Sequence, residues 1–196
     1  VHQRLHDAAA APGIRDDERV RGLTTAAGLL AFAGWDAATA YRSASQAVEA
    51  ARAADAGGSL ALALGQRAWS GAMSGLSTNE QVDADVEEAV EHAKRCGDAA
   101  THVYVLGFAG GAPTLSDSID AGCRLYEQAV EVCEAHDLAF QLTAAHANLG
   151  LWPVWSGKLD RTRRHARRAV ELARQVGRPG WEAIGLAGLG AAAVLQ

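Results

Sequence analysis

Cysteine is scarce in this sequence, and the little there is forms no framework. Cys96, Cys123 and Cys133 are an odd number with no Cys-x-x-Cys pair, so neither a complete set of disulfides nor a zinc site is expected. A reducing, cytoplasmic setting suits such thiols, and Cys133 is expected to be a small buried side chain. Long hydrophobic runs are missing too. No apolar stretch reaches the ~18–20 residues that span a bilayer, and no charged-then-apolar leader opens the chain, so a soluble protein with no membrane partner is expected. Positive charge is in deficit, with 18 Lys and Arg against 23 Asp and Glu and a net charge of −5. Phosphate neutralisation needs a basic surface, so no direct nucleic-acid partner is expected.

Catalytic signatures are absent as well. The chain has no GxxxxGK[ST] phosphate loop, no GxGxxG after a strand, no HExxH and no GxSxG. Adjacent acids such as Glu87 and Glu88 point apart on a helix, and His136 and His146 lie ten residues apart across a helix break. A non-enzyme with no metal and no cofactor is expected. Few β-branched residues and 21 glycines fit helices ended by glycine rather than strands.

Repetition is what the sequence does have. Ala-Val-Glu occurs at Ala47, Ala89, Ala129 and Ala169, spaced 42, 40 and 40 residues apart, a period that marks stacked helical units. Aligning the four alanines gives Ala40/Ala44/Ala47/Ala51, Val82/Val86/Ala89/Ala93, Gly122/Tyr126/Ala129/Cys133 and Thr162/Ala166/Ala169/Ala173. These positions, i, i+4, i+7 and i+11, fall on one face of a helix. The face is mostly small, so a neighbouring helix can come close.

In chain order, Val1 to Ala11 reads as the tail of a helix stopped by Pro12-Gly13. The first pair is Asp17 to Ala33, with Asp16 or Asp17 as N-cap, and Ala37 to Asp55, joined by Gly34-Trp35-Asp36 and stopped by Gly57-Gly58. The second is Ser59 to Ser70 and Gln81 to Cys96, stopped by Gly97. The third is Ala99 to Ala109 and Ser118 to His136, with Pro113 in the connecting loop. The fourth is Leu138 to Trp155, kinked by Pro153, and Leu159 to Val176, stopped by Gly177; Pro179 opens a further helix. The repeats span approximately 16–57, 58–97, 98–137 and 138–178, flanked by partial helices at 1–12 and 179–196. The apolar pattern from Leu186 to Leu195 has no polar cap, and the chain starts without Met. Solenoids need polar terminal repeats, so a segment of a longer protein is expected.

Asn148-Leu149-Gly150, Gly157, Ala169 and the Gly177-Arg178-Pro179 stop resemble the tetratricopeptide consensus, and Gly28, Ala40 and Ala47 match it in the first repeat. The period exceeds the usual 34 residues, Thr162 replaces an alanine, and Pro153 stands where an aromatic is usual. Long repeats with Arg/Glu-rich second helices are similar to the helical arms of actinobacterial LuxR-type regulators built on a STAND switch ATPase. The resemblance implies an all-α, right-handed α-α superhelix of about four helix-turn-helix repeats. It also implies a partner that is another protein, a neighbouring domain of the same polypeptide, or a peptide or small-molecule effector. No Lys/Asn arrangement maps onto the carboxylate clamp of chaperone-binding members.

Three surfaces are candidates for binding. Glycine-to-alanine spacings lengthen from 13 (Gly34 to Ala47) and 12 (Gly157 to Ala169) to 18 and 19 in the middle repeats, which predicts long loops at Ala72 to Glu80 and Gly111 to Asp117. The first-helix face carries Arg67, Trp69, Tyr104, Phe108, His146, Asn148, Trp152, Trp155 and Trp181. One residue separates Trp69, Phe108 and Trp155 from Gly71, Gly110 and Gly157. If exposed, these aromatics would wall a groove for a peptide or apolar ligand. The third surface is charged: Lys158 to Arg178 is basic, with Arg163, Arg164, Arg167 and Arg168 at its centre, whereas Glu80 to Glu91 is acidic. Solvated helix faces or docking surfaces both fit such segregation.

Overall fold

The computed structural model describes residues 13–33, 36–115 and 118–195 together with Arg4, Asp7 and Ala11. The helix tail expected before Pro12 therefore falls almost wholly outside the described residues, as do Gly34, Trp35, Ser116 and Asp117. Among the described residues there are nine α-helices, one 3₁₀ helix and no strand. No helix among them is long and apolar enough to cross a membrane. The chain divides into two compact units, Val1–Ala112 and Pro113–Gln196.

In the first unit α1 spans Asp16–Ala33, α2 Ala37–Ala53, α3 Gly57–Ser74 and α4 Asn79–Cys96. A fifth helix, α5, spans Ala99–Leu115, and its residues up to Ala112 belong to this unit. Each of α1 to α4 packs on its neighbours in sequence, and α1 also reaches α3. Local chemistry sets the helix starts. The Asp36 carboxylate accepts from the Thr39 amide at 2.9 Å. Thr78 and Gln81 form a reciprocal capping box at the head of α4, satisfying two amides that the helix itself cannot.

The small stripe is the packing face. Ala40, Ala44, Ala47 and Ala51 on α2 are fully buried, as are Val82, Ala89 and Ala93 on α4, with Val86 partly so. Ala47, Ala51, Ala89 and Ala93 enclose a core with Val20, Leu23, Leu60, Leu64 and Val105, and Val82 and Val86 pack with Ala68 and Ala112. Full burial of a leucine such as Leu64 is worth about 2–3 kcal/mol. The alanines bury little area each, and their contribution is to bring helices near enough for dispersion contacts along the backbone.

In the second unit α6 spans Ile119–Ala135, α7 Ala139–Leu149, a 3₁₀ helix Trp152–Ser156, α8 Leu159–Gln175 and α9 Pro179–Val194. The pairs α6 with α7, α7 with α8, α8 with α9 and α7 with α9 pack together. Again the stripes face inward: Gly122, Tyr126, Ala129 and Cys133 on α6, and Thr162, Ala166, Ala169 and Ala173 on α8. Contact at the α7, α8 and α9 junction is backbone to backbone. A Cβ on Gly150 would fall 2.6 Å from Ala166 Cα, and one on Gly188 would fall 1.9 Å from the Gly150 carbonyl oxygen.

The structure corrects the sequence reading at several turns. Gly57 and Gly58 open α3 rather than stop α2; the reversal is made by Asp55, at φ 50°, a residue type that tolerates the left-handed region. Helix α3 runs on through Gly71 to Ser74, and α5 through Gly110 and Pro113 to Leu115. The long loop expected at Ala72 to Glu80 is therefore mostly helix, with only 75–78 between α3 and α4, and Gly111 to Leu115 is helical as well. Gly71 does not end its helix, because its lack of a side chain serves close approach: a Cβ there would meet Ser77 Oγ at 2.3 Å and Tyr41 Cε2 at 3.2 Å. By contrast, Gly97, Gly157 and Gly177 do take positive φ at helix ends, as expected of glycine stops. Pro153 does more than kink its helix: α7 ends at Leu149, and Pro153 sits in the first turn of the 3₁₀ segment, where its missing amide costs no helical hydrogen bond.

Candidate functional site

The first-helix residues separate into structural and exposed groups. In the first unit, Arg67 on α3 grips Asp85 on α4 through two parallel bonds, Nε to Oδ2 at 2.7 Å and Nη2 to Oδ1 at 2.5 Å. Their side chains are 21% and 12% exposed, so the pair ties two helices together and leaves little of the guanidinium for a ligand. The Asp85 partnership also raises the Arg67 pKa further. Trp69 is half-buried, as is Phe108, whose Cβ packs over Gly65. Tyr104, four residues before Phe108 on α5, remains 47% exposed.

In the second unit, His146 on α7 is buried and meets His165 on α8, Nδ1 to Nδ1, at 3.0 Å, with the rings stacked at 5.2 Å. One nitrogen must donate and the other accept, so the contact requires at least one neutral imidazole. Burial lowers both pKa values. His165 is brought to about 4, with His146, Arg161 and Arg164 adding to the effect. Arg168 lowers His146 further, while Glu134 opposes it. Asn148 spends its side-chain amide on the Ala144 carbonyl at 3.1 Å. Trp152 packs on Tyr126, and its buried indole N–H faces the phenol without reaching hydrogen-bond geometry. Trp155, three residues on, is 71% exposed. Trp181 is half-buried in the first turn of α9.

The basic run on α8 is largely engaged. Lys158 pairs with Asp120, Arg161 with Glu127 at 2.8 Å, and Arg174 with Glu182 at 2.7 Å. Arg163 bonds Asp160 at 3.0 Å and donates to the Ala192 carbonyl at 2.9 Å, which pins α8 to α9. Arg168 pairs with Glu171 at 3.3 Å. Arg164 and Arg167 are exposed and carry no ion pair among the described residues. Together with Asp160 and Arg163 they line an open depression of about 730 Å³.

The two buried thiols offer no nucleophile, whereas Cys96 is exposed and free. Cys123 and Cys133 are buried, and desolvation raises both, Cys133 to about 11, so they stay protonated at neutral pH. Among the described residues no three His, Cys, Asp or Glu side chains converge as metal ligands.

Of the partners of Arg67 and His146, the sequence placed Asp85 only within the acidic run from Glu80 to Glu91, and His165 nowhere. Asp85 did carry a signal, since it lies three residues after Val82 and four before Ala89 and so faces inward with the stripe. His165 adjoins stripe residue Ala166 but has no comparable mark. No protein-family model matches the chain, and no curated protein is found to be related to it.

Proposed function

We propose that this chain is the non-catalytic, tetratricopeptide-like solenoid arm of an ATPase-coupled transcriptional regulator of the LuxR/STAND type, acting in the cytoplasm. It grips a protein or effector and transmits the event to a neighbouring domain. One observation carries the reading: the same small face is buried on four successive second helices, at Ala47, Ala89, Ala129 and Ala169. Such pairwise stacking is how repeat scaffolds are built, each unit closing its neighbour's apolar side. Function then lies in what the scaffold displays, here the basic face of α8 with Arg163, Arg164, Arg167 and Arg168.

Exposure of Trp155 and Tyr104 supports a second reading, a free-standing adaptor that binds a peptide or small apolar ligand on aromatic side chains. The intact parent polypeptide distinguishes the two. ATP hydrolysis whose rate changes when Arg164 and Arg167 become Glu, with the helices intact by circular dichroism, supports the regulator arm. A complete product of this length, with no nucleotide turnover and with its melting temperature raised by an apolar peptide or metabolite, would replace it with the adaptor.

A further inference from the structure

We infer that the basic face of α8 docks on the acidic face of α4 from a second copy of this chain. Helix α4 sets Glu80, Asp83, Glu87 and Glu91 at i, i+3, i+7 and i+11, all exposed, so they form one stripe along the helix. The other two acids of the run are spent, Asp85 on Arg67 and Glu88 on Arg52 at 2.6 Å. Glu80 is partly satisfied, its carboxyl held below the usual range by its own amide and the Thr78 hydroxyl. Asp83, Glu87 and Glu91 carry no ion pair among the described residues, and neither do Arg164 and Arg167 on α8. The chain thus presents two surfaces of opposite sign, a basic one on α8 that also holds the Asp160 carboxylate and an acidic one on α4 that ends at Lys94 and Arg95. Arg164 and Arg167 border the open depression on α8, where an incoming helix edge would be accommodated. Planar guanidinium forks suit carboxylates particularly well.

Because the two faces are different surfaces, the contact is heterologous and joins copies head to tail. Its strength comes from complementary fields, so salt should weaken it. The inference rests on α8 being a docking face, as in the proposed function, and names its occupant.

Sedimentation of the whole chain at roughly 0.01 M and 1 M salt, where screening lengths are about 30 Å and 3 Å, provides the test. Concentration-dependent association is expected at low salt, with at least a tenfold weaker constant at high salt. Arg164→Glu with Arg167→Glu should abolish association, as should Glu87→Arg with Glu91→Arg, and mixing the two double variants should restore it. All four positions are exposed, and circular dichroism checks that the helices persist. A wild-type chain that stays monomeric at low salt, or variants that associate alone as wild type does, overturns the inference. Monomers throughout, combined with ATP turnover in the intact polypeptide that still responds to the arginine reversals, would remove the self-contact alone and leave the regulator reading standing. Capture of a different acidic protein by monomeric chains would likewise replace the second copy as occupant.

Discussion

Acidifying the protein from pH 7 to pH 5 should weaken the second unit through the His146–His165 contact. In the folded state His165 takes up a proton only near pH 4, whereas in the unfolded chain it does so near its ordinary value of about 6.5. Its folded pKa is therefore depressed: the stability is fully present above about pH 6.5 and drains away as pH falls toward 4, because the unfolded chain binds more protons. At full strength the loss between pH 7 and pH 5 is on the order of 2 kcal/mol, and partial solvent access reduces it to about 1 kcal/mol. His146, also depressed by burial, acts in the same direction. Urea denaturation followed by tryptophan fluorescence at the two pH values gives the difference. His165→Gln retains a hydrogen-bonding side chain but does not titrate, so its pH dependence should be flatter than that of the wild type. Equal pH slopes in the two proteins would refute the reasoning, since the other histidines are common to both.

Two further substitutions test how the units are packed. Gly188→Ala drives a Cβ to 1.9 Å from the Gly150 carbonyl, a clash with backbone that no rotamer relieves, so a loss of about 2–3 kcal/mol in chemical denaturation is expected. Gly190→Ala, two residues along the same helix with nothing within 4 Å of the new Cβ, should instead gain about 0.5–1 kcal/mol from helix propensity. Asp85→Ala strands the Arg67 guanidinium, whose side chain is only 21% exposed, and should lower stability by about 2–3 kcal/mol, with Arg67→Met/Asp85→Leu recovering most of it in the same assay.

The fold was legible to the extent that it depends on period alone. The stripe through Ala47, Ala89, Ala129 and Ala169 could be drawn from spacing because a helix returns to one face at i+4, i+7 and i+11, and those residues are buried. Turns were less legible because glycine has two uses. At Gly97 and Gly157 it takes a positive φ, whereas at Gly71 it makes room for Ser77 and Tyr41 within a continuing helix, and the letter is the same. That ambiguity is what turned a longer α3 into an apparent loop. The candidate site was least legible, because the register between helices decides it. Arg67 looked like a groove residue until Asp85 stood opposite, and His146 until His165 did. Likewise, Trp69 and Trp155 share a repeat position, yet one is half-buried and the other exposed, since neighbouring helices set how much solvent each sees.

The repeat reading requires the recurring alanine to lie at a packed helix contact with no room for a larger side chain. The unfolding free energies of Ala47→Leu in the first unit and Ala169→Leu in the second, both positions 0% exposed, measure that directly, with exposed Ala53→Leu on α2 as reference. Each buried enlargement should cost about 1–3 kcal/mol of overpacking while the reference changes little. Stabilities indistinguishable from the reference would contradict the account.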